Sequence, residues 1–275
     1  MTSIVSVNWL YQNLDNPNLI VLDATIKKVT SNINSTIDNK QIIGARFIDI
    51  KNSFSDTSAP FPNTLLSAEK FQEQAQLLGI NKDSIIVVYD KIGVYSSPRV
   101  WWMFKTMGHQ NIAVLDGGFP EWKIAGFSTE NTSNFIVKKG DFITKYNPNY
   151  FWDYETVLNA ISDKKTSILD ARSQDRFYAK VEEPRVGLRS GHIPNSINLP
   201  YTELQFDGKM KSSEEIKIIF TEIKITNQQL VFSCGSGITA CILALGAEIT
   251  GYKDLTIYDG SWTEWGSLTN LPIEK

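Results

Sequence analysis

Short apolar runs alternate with amphipathic stretches along the whole chain. The apolar runs have the length of buried β-strands, and polar or glycine-containing turns bound them. They predict strands over residues 19–23, 44–50, 84–90, 112–116, 167–170, 191–200 (a turn followed by a strand), 230–233 and 255–259. The stretches between them predict helices over residues 6–14, 67–79, 98–107, 119–125, 157–161, 214–223 and 239–247. Residues 29–41 are polar and Asn-rich, residues 55–63 contain Pro, and both segments predict loops. Strands that alternate with helices are typical of an α/β fold with a mostly parallel sheet covered on both faces.

The same pattern occurs twice. The segment Asp116-Gly-Gly-Phe-Pro-Glu-Trp122 matches Asp259-Gly-Ser-Trp-Thr-Glu-Trp265 at an offset of 143 residues, and the strand-ending aspartates Asp23 and Asp170 lie 147 residues apart. A nearly constant offset indicates a duplicated domain. We therefore expect one domain over residues 1–128, a polar linker over 129–149 and a second domain over 150–275.

The candidate chemistry lies in the second half, at the end of a predicted strand. The apolar residues 230–232 stop at Ser233, Cys234 follows, and a Gly-Ser-Gly turn leads into the helix predicted from Thr239. A helix N-terminus presents free backbone N–H groups, which attract an anion such as a thiolate. Cys234 is therefore the candidate nucleophile. Cys241, one turn into the helix, is interpreted as a small buried hydrophobic residue.

Two other protein classes fit parts of this loop. Gly235-x-Gly237-x-x-Ala240 after a strand, with Asp259 ending the next strand, fits a dinucleotide-binding fingerprint. That fingerprint belongs near the start of a domain of this type, whereas this loop lies in the last quarter of a duplicated chain. A cysteine phosphatase needs an arginine that closes its phosphate loop, and the sixth residue after Cys234 is Ala240. Neither class is favoured.

Composition and charge exclude several kinds of partner. A net charge of −3, with no cluster of basic and aromatic residues, gives no reason to expect nucleic acid. Two cysteines and two histidines make neither a disulfide framework nor a metal site, so we expect no metal and no cofactor. The chain shows no signal region and no apolar run of membrane length. We expect no membrane partner and a cytoplasmic, reducing location in which Cys234 stays a free thiol.

Several motifs together resemble the two-domain rhodanese superfamily over nearly the whole chain. They are Val88-Tyr-Asp90, Arg99-Val-Trp-Trp-Met-Phe104, Asp116-Gly-Gly118, Asp170-Ala-Arg172, Gly191-His-Ile-Pro194, Asp259-Gly-Ser-Trp262 and the loop 234–240. The resemblance implies tandem duplicated rhodanese-like domains, each a mostly parallel sheet flanked by helices. It also implies that the catalytic cysteine lies in the second domain, at Cys234. The counterpart of this loop in the first half begins at Asp90 and contains no cysteine.

Within the superfamily, the loop Cys234-Gly-Ser-Gly-Ile-Thr-Ala240 is similar to the signature of the branch that uses 3-mercaptopyruvate. Thiosulfate-using members usually carry two basic residues where this chain has Gly235 and Ser236, and usually only the first of the two arginines at 176 and 185. The resemblance implies that Ser236 works with Cys234. It implies substrate-binding roles for Arg176, Arg185, Gly235, Gly237, Ile238 and Thr239. The alternative interpretation of each arginine is an ion pair at the surface or between the domains.

The resemblance also implies the partners. The sulfur donor is 3-mercaptopyruvate, with thiosulfate as the alternative, and a persulfide on Cys234 carries the sulfur. The acceptor is a thiol, such as that of thioredoxin or glutathione, or cyanide. A non-catalytic persulfide carrier or interaction module is the alternative from another class.

The chain departs from the family at one position. The mercaptopyruvate branch carries a histidine that opens the first domain's counterpart of the Gly191-His-Ile-Pro194 motif, and here that position is Gln41. The serine proposed to work with this histidine is present as Ser236. We therefore expect Ser236 to donate a hydrogen bond to sulfur rather than to relay a proton. We expect a structural role for His192, because its motif is a turn before a buried strand.

Overall fold

The computed structural model describes residues 1–26, 39–133, 136–225 and 229–275. These residues cluster into two compact units. The first unit comprises Met1–Asp56, Leu65–Asn147 and Asp207–Met210, and the second comprises Thr57–Thr64, Pro148–Phe206 and Lys211–Lys275. The domain limits expected at residues 128 and 149 stay a prediction. No helix within the described ranges is long and apolar enough to cross a membrane.

The first unit is built on a five-stranded parallel sheet with the order β1-β6-β5-β2-β4. Its strands are β1 (Ile4–Val5), β2 (Leu19–Asp23), β4 (Arg46–Phe47), β5 (Ile85–Tyr89) and β6 (Ile112–Leu115). A separate antiparallel pair joins β3 (Lys40–Ile42) to β7 (Thr129–Asn131). The central strand β5 and its neighbour β6 are almost wholly buried, as a sheet covered on both faces requires.

Among its described residues, the first unit has four helices: α1 (Val7–Asn13), α2 (Ala68–Leu77), α3 (Ser97–Thr106) and α4 (Gly118–Ile124). Serine side chains cap the first two of these helices. The hydroxyl of Ser6 accepts from the backbone N–H of Trp9, and that of Ser67 accepts from the N–H of Lys70. Each cap satisfies one donor that a helix N-terminus leaves without a partner.

The second unit repeats the architecture. Its parallel sheet has the order β10-β9-β13-β14-β8. The strands are β8 (Phe151–Trp152), β9 (Thr166–Asp170), β10 (Ile197–Asn198), β13 (Gln229–Ser233) and β14 (Asp254–Tyr258). The short strand β11 (Gln205–Phe206) also lies in this unit, whereas β12 (Lys209–Met210) lies in the segment Asp207–Met210 of the first unit. The helices described in the second unit are α5 (Tyr154–Ala160), α6 (Gln174–Phe177), α7 (Ser213–Glu222), α8 (Ala240–Ile249) and α9 (Ser261–Trp265).

The register of the strands confirms the duplication and the predicted fold class. In the first sheet Asp23 pairs with Tyr89, and in the second Asp170 pairs with Ser233. The residue after each pair is Asp90 in one unit and Cys234 in the other. Asp90 and Cys234 therefore occupy equivalent positions at the carboxyl end of the central strand.

The predicted elements agree with the structure where they are long and differ where they are short. The strand predicted over residues 44–50 is only Arg46–Phe47, because Gly44 has a φ of +73° and breaks the extended chain. Most of the loop predicted over 29–41 lies outside the described residues, and its end is part of β3 instead. The four-residue α6 and five-residue α9 are too short to produce a helical period in the sequence.

Candidate active site

Cys234 directly follows β13, which lies at the centre of the second sheet between β9 and β14. Ligands of parallel sheets bind at this carboxyl end of the strands. The backbone of Cys234 is held by α9: its N–H donates to the Ser261 hydroxyl at 3.2 Å, and its carbonyl accepts from the N–H of Trp262 at 3.0 Å. The Asp-Gly-Ser-Trp motif of the sequence thus supports the candidate nucleophile.

The next residues of the loop are fixed in the same way. The carbonyl of Gly235 accepts from the backbone N–H of Thr263 at 2.9 Å and from its hydroxyl at 2.5 Å. Gly237 has a φ of +74°, a conformation that glycine adopts without steric cost. The shape of the turn therefore favours glycine at position 237.

The two cysteines lie in different surroundings. Cys241 is fully buried in α8, and its thiol donates to the carbonyl of Gly237 at 3.3 Å. This confirms the interpretation of Cys241 as a small buried residue. Cys234 is also buried, at 1% exposure. An anion on its sulfur therefore needs hydrogen-bond donors from the protein, because little water reaches it.

Arg172 is buried and forms several contacts with neighbouring groups. Its guanidinium donates to both carboxylate oxygens of Asp170, to Glu183 at 2.8 Å and to the carbonyl of Gly191 at 2.8 Å, and it lies 4.3 Å from the ring centroid of Trp262. Burial alone would lower the pKa of Arg172, but Asp170 and Glu183 offset this effect and raise the pKa above its ordinary value. Arg172 is a permanent buried charge that organises the acids around it.

Arg176 belongs to α6 and shares one of those acids. Its Nε donates to Glu183 Oε1 at 3.2 Å and its Nη2 to Oε2 at 2.5 Å, and its side chain is 17% exposed. Glu183 thus joins the buried Arg172 to the partly exposed Arg176. The sequence did not single out Glu183, although it precedes Pro184 and Arg185 in the motif that drew attention to the second arginine.

The two predicted substrate-binding arginines converge on the loop. A Cβ atom placed on Gly235 would lie 3.2 Å from Nη2 of Arg176 and 3.8 Å from Nη1 of Arg185. Nη2 of Arg185 also donates to the Ser236 hydroxyl at 3.3 Å. Glycine at position 235 therefore leaves the space in which both guanidiniums lie.

Ser236 has a neighbour that the sequence did not indicate. The amide Nδ2 of Asn63 donates to the backbone carbonyl and to the hydroxyl of Ser236, each at 3.0 Å. Asn63 is part of the segment Thr57–Thr64, which belongs to the second unit. It lies 173 positions from Ser236 in a segment that the sequence marks only as a Pro-containing loop, so no local pattern could have revealed the contact.

Gln41, the position where the sequence places the missing histidine, is a buried residue of the first unit. Its Nε2 donates to the carbonyl of Ala45 at 2.9 Å and to Glu130 Oε1 at 2.8 Å. These bonds tie the turn after β3 to β7. The side chains that donate to the Ser236 hydroxyl are those of Asn63 and Arg185, and the uncharged one, Asn63, is the candidate to work with Ser236 in place of the histidine.

His192 has the contacts of a structural residue. Its ring stacks on Phe177 with centroids 3.7 Å apart, and its Nδ1 lies 3.0 Å from the carbonyl of Phe177. Its backbone pairs with Glu274 near the end of the chain. Because Phe177 directly follows Arg176 in α6, these contacts support a role for His192 in holding the helix that presents Arg176.

The equivalent loops of the two units differ in the acceptors that their backbone N–H groups bind. In the first unit, the buried Asp90 carboxylate accepts from the backbone N–H groups of Ile92, Tyr95, Ser96 and Ser97. Burial raises the pKa of Asp90, and these hydrogen bonds act in the opposite direction.

At the corresponding places after Cys234, the N–H groups of Ser236, Thr239 and Ala240 make no hydrogen bond to any part of the described chain. Ile238 and Thr239 lead from the turn into α8.

Comparison with known proteins agrees with this architecture. The Rhodanese-like domain family matches residues 6–125 and 153–268. The chain is 35% identical over 277 residues to the 3-mercaptopyruvate sulfurtransferase of Escherichia coli K12, covering 99% of this chain and 98% of the relative. It is 37% identical over 297 residues to the mitochondrial thiosulfate/3-mercaptopyruvate sulfurtransferase 1 of Arabidopsis thaliana, covering 99% of this chain and 78% of the relative.

A solved structure matches as well. The crystal structure of SseA, a 3-mercaptopyruvate sulfotransferase from Escherichia coli, superposes with a TM-score of 0.84 at 32% sequence identity, covering 95% of this chain and 99% of the other. Each of the two regions that match the Rhodanese-like domain family contains most of one of the two five-stranded sheets, and the second region, residues 153–268, also contains the cysteine loop. The chain therefore belongs to the rhodanese-like family, with two rhodanese-like domains in tandem.

Proposed function

We propose that this protein is a 3-mercaptopyruvate sulfurtransferase with Cys234 as its nucleophile. The Cys234 thiolate attacks the sulfur of 3-mercaptopyruvate. A sulfur–sulfur bond forms and the carbon–sulfur bond breaks, with its electron pair remaining on carbon as the enolate of pyruvate. The enolate takes a proton from water, and a persulfide stays on Cys234. An acceptor thiol or cyanide then attacks the outer sulfur and releases the thiolate.

The observation that carries this proposal is the convergence of Arg176 and Arg185 beside Gly235, one residue from Cys234. Two planar guanidiniums match the carboxylate and ketone oxygens of an α-keto acid. A basic side chain at position 235, usual in thiosulfate-using relatives, would compete for the space that these arginines occupy. The ion pair of Arg176 with Glu183, foreseen as an alternative, is present, and it orients the arginine without removing it from the loop.

The backbone N–H groups of the loop supply the anion stabilisation that the mechanism needs. An ordinary cysteine titrates near pH 8.5, so a thiolate at neutral pH requires nearby donors. The Asp90 loop of the first unit supports the idea that this backbone shape suits an anion, since a carboxylate fills it there. We infer that the N–H groups of Ser236, Thr239 and Ala240, with those of Gly235, Gly237 and Ile238, surround the thiolate and the persulfide of Cys234.

The second candidate is a thiosulfate sulfurtransferase. The name of the plant relative includes both donors, so the use of thiosulfate should be tested directly. Thiocyanate release is measured with 3-mercaptopyruvate and with thiosulfate as the sulfur donor, with cyanide as the common acceptor. We expect kcat/KM to be higher for 3-mercaptopyruvate. A preference for thiosulfate would reverse the assignment, and the absence of steady-state turnover with either donor would favour a persulfide carrier.

The finer partners belong to the same proposal. We propose a small thiol protein or peptide, such as thioredoxin or glutathione, as the physiological acceptor. The cytoplasmic location stays a prediction, since one relative is named as mitochondrial.

A further inference from the structure

We propose that Asn63 is a positioning residue that makes Ser236 a fixed hydrogen-bond donor toward the sulfur on Cys234. This inference rests on the proposed function, because it assigns a role within the same site. It also implies that Ser236 does not relay a proton in this protein. Asn63 and Arg185 together determine what the hydroxyl can do.

The orientation of the Asn63 amide is set by its two contacts. The same atom lies 3.0 Å from the carbonyl oxygen and 3.0 Å from the hydroxyl oxygen of Ser236. A carbonyl oxygen can only accept a hydrogen bond, so the atom facing it must be the donating NH₂ group. Asn63 therefore donates to the hydroxyl as well.

A second donor occupies the other side of the same hydroxyl. Nη2 of Arg185 lies 3.3 Å from Ser236 Oγ, and a guanidinium has donors and no acceptor. A serine hydroxyl has two lone pairs and one hydrogen. Both lone pairs are engaged, so the hydrogen points to the remaining tetrahedral direction. Within the described ranges of the chain, this O–H donates to no acceptor.

This arrangement excludes a proton relay through Ser236. A relay needs a partner that can take the serine proton, and neither an amide NH₂ group nor a guanidinium can accept one. The hydroxyl can only donate its hydrogen to something that enters the site. Ser236 lies two residues after Cys234 and is 7% exposed, so an anionic sulfur on Cys234 or the bound donor is the acceptor that this geometry suits.

A double-mutant cycle tests this coupling. Asn63 has a φ of +65°, so Asn63→Gly removes the amide without introducing a residue that strains the turn. Loss of one net hydrogen bond predicts a fall in kcat/KM of about 3- to 10-fold for Asn63→Gly and for Ser236→Ala. If Asn63 acts through Ser236, the double variant is no worse than Ser236→Ala. Losses that multiply would overturn the proposal.

Thr64→Val provides the matched control. The Thr64 hydroxyl donates to the carbonyl of Phe61 at 2.8 Å within the same segment and has no contact with Ser236 among the described hydrogen bonds. Its effect should multiply with that of Ser236→Ala. The cycle is run with whichever of the two sulfur donors the wild type turns over, so a wrong choice of donor in the proposed function leaves this test intact.

The pH profile of Asn63→Asp distinguishes the proposed role of Asn63 from a purely structural one. A carboxylate can only accept, so it draws the Ser236 hydrogen away from the sulfur, and its protonation at low pH removes this effect. We expect the pH profile of kcat/KM to gain a descending limb in Asn63→Asp. The wild type, Asn63→Gly and His192→Asn should show a single ascending limb from thiol ionisation. An unchanged profile in a folded Asn63→Asp protein would contradict the assignment.

Discussion

Glu183 binds Arg176 through both of its carboxylate oxygens, one to Nε and one to Nη2. A carboxylate and a guanidinium that meet in this way share a plane, so the contact fixes the orientation of the arginine as well as its position. The remaining N–H bonds of Arg176 lie beside Gly235. The buried Glu183 therefore determines where Arg176, the proposed substrate-binding group, points.

Glu183→Gln tests this positioning role. An amide keeps the shape of the side chain but loses the charge and presents an NH₂ group to the arginines. One charge-assisted contact is worth about 1.5–3 kcal/mol, so we expect kcat/KM for 3-mercaptopyruvate to fall about 10- to 150-fold, mainly through KM. Stability should also fall, because Arg172 loses a buried counter-charge.

The neighbouring Glu182 is exposed and offers the control. Glu182→Gln should leave both kinetic constants within about twofold, as is usual for surface substitutions. A folded Glu183→Gln protein with wild-type KM would show that Arg176 is oriented by something else.

The two arginines should differ in donor dependence. Arg185 is assigned to a part of 3-mercaptopyruvate that thiosulfate lacks, so Arg185→Ala should lower kcat/KM for 3-mercaptopyruvate by about 10- to 150-fold, from the worth of one charge-assisted contact. Its effect on thiosulfate should be clearly smaller. Arg176→Ala should harm both donors, because both are anionic. Equal losses for the two donors in Arg185→Ala would remove the assignment.

Acid should destabilise the first unit partly through His109. Its Nε2 lies 3.0 Å from the carbonyl of Ser84, and burial lowers the pKa of its imidazole. The unfolded chain takes up a proton near pH 6.5, whereas the folded chain resists it. Stability is therefore present above this pH and is lost as pH falls through it toward the lower folded pKa.

Urea unfolding at pH 7.5 and pH 5.5 measures this contribution. His109→Gln keeps a donor for the Ser84 carbonyl and removes the titration, so the variant should lose less stability than the wild type between the two pH values. An equal loss in both proteins would mean that His109 titrates alike in the folded and unfolded chain.

The sequence was informative where a feature repeats or is local. The offset between the two halves predicts the duplicated sheet, and the order of strand, thiol, glycine turn and helix predicts that Cys234 lies at the carboxyl end of a strand. The helices predicted from Ser6 and Ser67 begin in the structure at Val7 and Ala68, one residue after each serine. These features depend on neighbouring residues, whose spacing the sequence states directly.

The contacts that complete the site are distant in sequence and carry no local pattern. Asn63 reaches Ser236 across 173 positions, and Glu183 joins Arg172 and Arg176 through the folding of a loop between elements. The sequence placed the missing histidine at Gln41 from its motif position and left open which residue replaces it. Side-chain partners are set by tertiary structure, and only the coordinates identify Asn63 in that place.

The central claim is that Cys234, and not Cys241, carries the transferred sulfur. Intact-protein mass spectrometry after treatment with 3-mercaptopyruvate and no acceptor measures this directly. The account predicts one added sulfur atom in the wild type and in Cys241→Ala, its removal by cyanide, and its absence in Cys234→Ser. An added sulfur and continued turnover in Cys234→Ser would contradict the account.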